Sequence, residues 1–328
     1  MMKYKVKLFA LFALLAAGMF GCEMEQEVDL PEHEPKLTLR LALANVDTLA
    51  EHSIQYKYSA LFIGRSQSVL YPDESLTGMA NATVKLYDES GNVVEEYAHT
   101  GYTQSEYGYK VEMQGYYAST KNFVPEPGKT YTIRASAHTF QDIEATTMLP
   151  EKPVVTDLSF DGQPSPADSY TIEGDLKLTI ADEPGKKNYY RLVAVPLDST
   201  YARIADSPAR SIDAYDGADF GNNEKPRLGD LFSDELYSSG KITLLTRIAF
   251  PGIDYASFQT GKKRYARYLE VQVQQLTESE YLFAKTLEAQ WRSDDNPFAE
   301  SQNVYSNVNS GYGVLGGVTV TRVVVEAL

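Results

Sequence analysis

The stretch LTLRLAL at residues 37–43 places a leucine at every second position. Successive side chains of a β-strand point to opposite faces, so this alternation predicts a strand with one buried leucine face. Further strand-like stretches lie at residues 54–62, 107–113, 131–137 and 143–148, with turn-forming sequences between them. The first half of the chain is therefore predicted to consist of short strands.

A hairpin and a boundary complete the prediction for this half. Residues 82–87 and 93–97 read as strands on either side of ESGN, a turn sequence at residues 89–92. About seven short strands with regular turns and no convincing helix are typical of an Ig-like sandwich, so we predict an antiparallel Ig-like β-sandwich over residues 36–150. The sequence PEKP at residues 150–153 marks its end, because two nearby prolines interrupt strand pairing.

Residues 151–328 are predicted to form a second β-rich domain. Its strands are expected at residues 154–160, 170–180, 189–195, 241–250, 264–275 and 318–325. The last of these, VTVTRVVV, is rich in the β-branched residues that favour strands. The chain as a whole is therefore predicted to be mainly β.

One helix is predicted in this second domain, over residues 278–292. Thr277 and Glu280 fit a capping box, in which each side chain bonds the other residue's backbone amide. Phe283, Leu287 and Trp291 then recur at four-residue spacing, which predicts an apolar stripe packed on the sheet.

The N-terminus has the features of a secretory signal. Three lysines precede an apolar run at residues 8–20, which is too short for the roughly 20 residues of a spanning helix. Gly21 and Cys22 follow, and Cys22 is the single cysteine of the 328 residues. This order resembles the lipobox of bacterial lipoproteins and predicts a signal peptide at residues 1–21 and a lipid on Cys22. The alternative is a buried structural cysteine beside an ordinary cleavage site.

An acidic segment follows, since residues 23–34 hold six acids and no Lys or Arg. Like charges keep such a chain extended, so residues 22–35 are predicted to be the lipidated cysteine and a tether. Acids after a lipidated cysteine also resemble the surface-export signal of Bacteroidota lipoproteins. We therefore expect the protein to face the cell surface, with a linker facing the periplasm as the alternative.

The net charge excludes one class of partner. Loss of residues 1–21 removes three lysines and no acid, which takes the formal charge from −15 to −18. Nucleic-acid binding requires a basic face, so we expect no nucleic-acid partner. Intrachain disulfides are excluded if Cys22 is lipidated.

Motifs associated with chemistry are weak. GYGVLG at residues 311–316 spells G-x-G-x-x-G, but a strand follows it where dinucleotide binding needs a helix, so we expect a turn or bulge instead. Asp213, Asp216 and Asp219 lack the spacing of an EF-hand loop, and an irregular Ca²⁺ site there stays an open alternative. The four histidines are scattered, so we expect no cofactor and no metal site, and no catalytic motif is recognisable.

Tyr107 and Tyr109 share one face of a predicted strand. Structural pairing across strands is the first interpretation of these tyrosines, and a platform on which a ligand stacks is the second.

Several motifs in order resemble one family. They are PGKTY at residues 127–131, TMLP at 147–150, DEPG at 182–185, NYYRL at 188–192, FSDE at 232–235, NPF at 296–298, SNV at 306–308 and GYG at 311–313. Together with the lipobox and its acidic tail, this series resembles the Bacteroidota lipoprotein family called domain of unknown function 4249. The resemblance implies an outer-membrane lipoprotein often found beside TonB-dependent transporters, and it implies no catalytic residues.

The sequence therefore supports three functional hypotheses. The first is a non-enzymatic, surface-tethered accessory or ligand-binding lipoprotein that works with a TonB-dependent β-barrel transporter in nutrient uptake. The second is a structural adhesin or fimbria-like subunit, which predicts an unpaired strand edge. The third is a hydrolase that uses two facing carboxylates about 5 to 9.5 Å apart.

Overall fold

The computed structural model describes residues 33–45, 60–68, 78–104, 110–204, 208–212, 226–237, 240–254, 257, 261, 263–294 and 303–328. Within these ranges the chain forms seventeen β-strands and one long α-helix. The prediction of a mainly β chain with one helix is confirmed, and the large, mostly antiparallel sheets are consistent with a β-sandwich.

The nine strands before residue 150 are short. They are β1 (Leu37–Asn45), β2 (Leu61–Arg65), β3 (Thr83–Tyr87), β4 (Val93–His99), β5 (Tyr102–Gln104), β6 (Lys110–Glu112), β7 (Tyr116–Ser119), β8 (Thr130–Ser136) and β9 (Ile143–Met148). The predicted hairpin is present as β3 and β4, which pair antiparallel. Its turn is held by Asp88, whose carboxylate accepts the amides of Ser90 and Asn92 at 2.9 and 2.8 Å.

The strands after residue 150 are mostly longer, and the helix lies among them. They are β10 (Val154–Pro164), β11 (Thr171–Ala181), β12 (Tyr189–Leu197), β13 (Arg210–Ser211), β14 (Leu231–Ser233), β15 (Lys241–Pro251), β16 (Tyr268–Leu276), α1 (Glu278–Asp294) and β17 (Tyr312–Glu326). A single 3-10 turn, Asp234–Leu236, follows β14.

One eleven-stranded sheet contains strands from both halves, in the order β14-β12-β16-β17-β1-β2-β7-β4-β3-β8-β9. The halves meet where β1 pairs in parallel with β17, over the register from Thr38 with Tyr312 to Asn45 with Thr319. The sheet therefore continues across the boundary predicted at residue 150, and residues 35–328 form one compact unit.

Leucine alternation in β1 produces the first core. Leu37, Leu39, Leu41 and Leu43 are each at most 5% exposed and pack with residues of β2, β3, β8 and β9. Full burial of each such side chain contributes about 2 kcal/mol to the free energy of folding. The opposite face of β1 carries Arg40, which points toward the helix side of the sheet.

A four-stranded sheet, β10-β11-β15-β13, covers the C-terminal part of the large sheet. Its inward residues, such as Leu176 and Ile242, pack against Val271 and Val273 of β16. The two layers therefore share a second core, which is the sandwich arrangement of two sheets face to face. A separate small pair is formed by β5 and β6.

Candidate functional site

Three of the predicted site residues lie outside the described residues. They are Cys22, Tyr107 and Tyr109. Asp213, Asp216 and Asp219 of the alternative Ca²⁺ site also lie outside them. The lipid attachment, the stacking platform and the Ca²⁺ site therefore stay predictions.

All of the glycine motif except its first residue, Gly311, lies inside a strand. β17 begins at Tyr312, six residues before the predicted start, and continues to Glu326 with no helix after the glycines. The glycines serve close packing: a Cβ at Gly313 would overlap the carbonyl oxygen of Leu39, and one at Gly316 would overlap the Glu280 carboxylate. The motif therefore brings β1 and the start of α1 close to β17.

One of the two hydrogen bonds predicted for the capping box is present at the start of α1. Thr277 caps α1, because its hydroxyl accepts the Glu280 amide at 3.2 Å. The predicted second bond of the capping box, from the Thr277 amide to the Glu280 carboxylate, is not formed, because the Thr277 amide donates to the Gly317 carbonyl at 2.9 Å. Glu280 pairs instead with Arg40 of β1, with Oε1 and Nη2 2.6 Å apart. This ion pair ties the helix to β1.

The predicted apolar stripe of α1 is buried along only part of the helix. Phe283 and Leu287 are half-buried, and Trp291 is 64% exposed. The prediction that all three pack on the sheet is wrong for Trp291. The buried contacts of α1 are at its first turns, where Tyr281 stacks on Tyr189 with ring centroids 4.4 Å apart.

Two family-like motifs, DEPG and FSDE, bring a pair of carboxylates together. Asp182 directly follows β11 at the start of the next turn, and Asp234 begins the 3-10 turn after β14. The side-chain amide of Asn188 donates to both of them, at 3.2 Å to Asp182 and 3.0 Å to Asp234. Asp234 also accepts the Asn188 backbone amide at 2.8 Å. We call Asp182 and Asp234 the aspartate pair.

Buried polar groups surround the aspartate pair. Asp234 is 6% exposed, and the side-chain amide of Gln275 in β16 donates to the side-chain oxygen Oδ1 of Asn188 at 2.8 Å. Burial raises the pKa of Asp182, and the negative charge of Asp234 raises it further. Burial also raises the pKa of Tyr190, with a further contribution from both carboxylates.

The geometry of the aspartate pair favours a structural role. One amide nitrogen, that of the Asn188 side chain, bonds both carboxyl groups. A glycosidase keeps its acids about 5 to 9.5 Å apart so that substrate or water fits between them. The pair instead joins two turns to β16 through Asn188. DEPG and FSDE do not predict this contact, because nothing in either motif specifies its partner.

The two aspartates should respond differently to mutation. Asp234→Ala removes the acceptor of the buried Asn188 backbone amide and one of the acceptors of its side-chain amide, so we expect a loss of about 2 kcal/mol in the free energy of unfolding at pH 7. Asp182→Asn removes a charge that burial disfavours and should cost little. Because the folded pKa of Asp182 is raised, stability rises as pH falls through it, and Asp182→Asn should flatten that rise. Urea unfolding at several pH values measures both effects; equal destabilisation by the two variants would contradict the assignment.

The part of the chain that the structure describes contains neither a recognisable metal site nor a helix that could span a membrane. His99 accepts the Gly115 amide at 3.4 Å and packs edge-on against Tyr117. Within the described ranges, no group of three or more His, Cys, Asp or Glu side chains is arranged to hold a metal ion. In the same ranges, no helix has both the length and the apolar character required to cross a membrane.

Comparison with known proteins identifies the family. No curated protein matches the sequence. The family described as Domain of unknown function (DUF4249) matches residues 25–323, a range that contains the aspartate pair and the glycine motif. The chain therefore belongs to the Domain of unknown function (DUF4249) family.

Proposed function

We propose that the protein is a non-enzymatic lipoprotein, anchored in the outer membrane by a lipid on Cys22 and facing the cell surface. In this proposal it serves a TonB-dependent transporter as an accessory or ligand-binding partner in nutrient uptake. Membership of the family supports the proposal, because the resemblance to this family implies an outer-membrane lipoprotein that is often found beside such transporters.

The observation that carries the proposal is the order of segments at the N-terminus. A short apolar run ends at the single cysteine, and six acids without a basic residue follow directly. The described β-structure then begins at Leu37. If the acidic residues 23–34 are extended, they reach roughly 40 Å at about 3.3 Å per residue. That reach is enough to hold a folded unit clear of lipid headgroups.

Isolation of the protein from its own membranes tests the partnership. The tagged full-length chain is purified from detergent-solubilised outer membranes, and co-purifying proteins are identified by mass spectrometry. We expect enrichment of a large β-barrel transporter over an untagged control strain. Cys22→Ser, which cannot take a thioether lipid, should leave the membrane fraction and lose that enrichment. Membranes that yield no β-barrel with the wild-type chain would contradict the partnership.

One observation favours keeping the adhesin or fimbria-like subunit as a second candidate. β10 is eleven residues long and lies at the end of the four-stranded sheet. Among the described strands, its backbone pairs with β11 alone. Such an edge can accept a strand from another chain. Purified protein that stays monomeric at high concentration would argue against this candidate, whereas ordered polymers would support it.

A further inference from the structure

Tyr201 has a strained backbone conformation in the turn that follows β12. Its φ is +62°, in the left-handed region that glycine and asparagine adopt readily and bulky residues rarely. Tyr201 is also 60% exposed, so burial in a core does not account for a large aromatic side chain at this position. Strained residues of this kind cluster at binding sites, where the surrounding structure holds them in place.

Asp198 holds this turn in place. One of its carboxylate oxygens accepts the backbone amides of Thr200 and Ala202 at 2.8 and 3.0 Å. The other oxygen accepts Nε of Arg264 at 2.7 Å, and Arg264 also donates to the Arg203 carbonyl oxygen at 2.9 Å. Asp198 is 7% exposed, so these bonds are shielded from water. The turn is therefore ordered before a ligand arrives, which lowers the entropy cost of binding.

The ring of Tyr201 lies parallel to the ring of Tyr268, the first residue of β16. The ring centroids are 4.7 Å apart, and the ring planes differ by 3°. Such an offset stack is favourable, but the gain is similar in size to the cost of a left-handed tyrosine. Stability of the fold alone therefore does not explain a tyrosine at position 201. The stacked pair presents an aromatic surface to solvent.

An exposed ion pair borders this aromatic surface. Glu326 of β17 is directly opposite Tyr268 in the antiparallel pairing with β16. Side chains in such positions have Cβ atoms about 5 Å apart. The Glu326 carboxylate pairs with Arg267 at 3.1 Å, and the two side chains are 66% and 51% exposed. The ion pair therefore offers hydrogen-bond donors and acceptors side by side, with no net charge.

These features match a neutral sugar ring. The C–H bonds on one face of a pyranose are attracted to the negative face of an aromatic ring. Each sugar hydroxyl both donates and accepts, and an arginine beside a glutamate satisfies both roles. An ionic ligand would be attracted by one member of the ion pair and repelled by the other. A nucleic-acid base could also stack, but its phosphates are disfavoured by a chain whose net charge is −15.

We propose that Tyr201, Tyr268, Arg267 and Glu326 form a surface site for a neutral pyranose ring of an oligosaccharide. The sugar stacks on the two tyrosines, and its hydroxyls bond the ion pair. The inference rests on the ligand-binding part of the proposed function and names the class of ligand.

A glycan array tests the site. Detergent-purified full-length protein is applied to neutral oligosaccharides of glucose, galactose, mannose or xylose and to anionic uronic-acid oligomers. Calorimetry then measures the affinity for the neutral oligosaccharide that binds best. We expect at least one neutral oligosaccharide to bind, and sorbitol, a polyol without a ring, to leave that binding unchanged. Binding of no neutral oligosaccharide, tighter binding of the uronic acids, or competition by sorbitol would overturn the proposal.

Four variants separate binding from folding. Tyr201→Gly removes the ring and the backbone strain together, so we expect nearly unchanged stability and at least about tenfold weaker binding. Tyr201→Phe keeps the ring and should bind as wild type, whereas Arg267→Gln should weaken binding at least about threefold. Tyr102→Ala, which removes a 39% exposed tyrosine from β5, should keep full affinity.

The contrary results are equally distinct. A Tyr201→Gly protein that binds as wild type, or one that loses much of its stability, would show that the ring serves no ligand or serves the fold. Because the array contains neither membrane nor transporter, its failure would remove the sugar site alone. Loss of the transporter in the membrane isolation, with sugar binding retained, would count against the partnership alone.

Discussion

Replacement of Gly313 by alanine is expected to be among the most destabilising single changes in the chain. Gly313 has a φ of +110°, which L-residues with a side chain rarely adopt. A Cβ placed there would overlap the Leu39 carbonyl oxygen and lie 2.8 Å from its carbon, and both atoms are backbone of the paired strand β1. Neither strand can yield without breaking the parallel pairing. We expect a loss of about 4 kcal/mol, the sum of backbone strain and steric overlap.

Gly91 supplies the matched control for this change. It also has a positive φ, of +79°, but no atom lies within 4 Å of its Cβ position. Gly91→Ala should therefore cost about 1 kcal/mol, from backbone conformation alone. Denaturant unfolding of both variants measures the difference. Equal losses would show that the close approach of β17 to β1 contributes nothing to stability.

Replacement of Glu95 by glutamine is the second large effect expected. Glu95 is 1% exposed in β4, and its carboxylate accepts the backbone amides of Glu96, Thr120, Lys121 and Phe123 at 2.7 to 3.0 Å. It also accepts the Ser119 hydroxyl. Glutamine offers one acceptor oxygen and turns its amide nitrogen toward these donors. We expect a loss of about 3 kcal/mol, since several buried donors lose their partner.

The same contact predicts a pH dependence. Burial alone would raise the pKa of Glu95, but the bonds from Ser119 and the backbone amides lower it from 4.5 to about 2. The unfolded chain therefore binds more protons than the folded chain between those values. The stabilisation of about 3 kcal/mol is complete above pH 4.5 and is lost as pH falls toward 2.

Glu96 is the control for this pH dependence, because its side chain is 46% exposed. Glu96→Gln should leave the unfolding free energy nearly unchanged at every pH, whereas Glu95→Gln should lose most of its acid sensitivity between pH 4.5 and 2. If wild type and Glu95→Gln lose stability in parallel over that range, the account of the Glu95 contacts is wrong.

Local patterns were enough to locate most strands. The alternation at residues 37–43 gives β1 with its leucines buried, and the ESGN turn gives the β3–β4 hairpin. These features depend on side-chain period and turn chemistry, which neighbouring residues encode. The start of β17 was missed because Gly313 and Gly316 resemble a turn in sequence, whereas the structure uses them for close packing.

Long-range partners were beyond the reach of such patterns. The parallel pairing of β1 with β17 joins Leu39 to Gly313, and alternation shows which face is buried without showing which strand is adjacent. The same holds for Arg40 and Glu280, which are 240 positions apart. The capping box at Thr277 was half right because local sequence encodes the cap, while the position of Arg40 decides where the glutamate bonds.

The contact between the two members of the aspartate pair was also beyond the reach of local sequence patterns. Asp182 and Asp234 each lie in a quoted motif, but only the fold brings both to Asn188.

A lipid on Cys22 is what would anchor the protein, and the mass of the mature N-terminal peptide shows whether it is there. Full-length protein from its native membranes is digested, and the N-terminal peptide is extracted into organic solvent and analysed by mass spectrometry. We expect a peptide that begins at Cys22, carries a diacylglyceryl thioether and continues with the acidic residues that follow. A mature chain that begins elsewhere, or a Cys22 with an unmodified thiol, would contradict it.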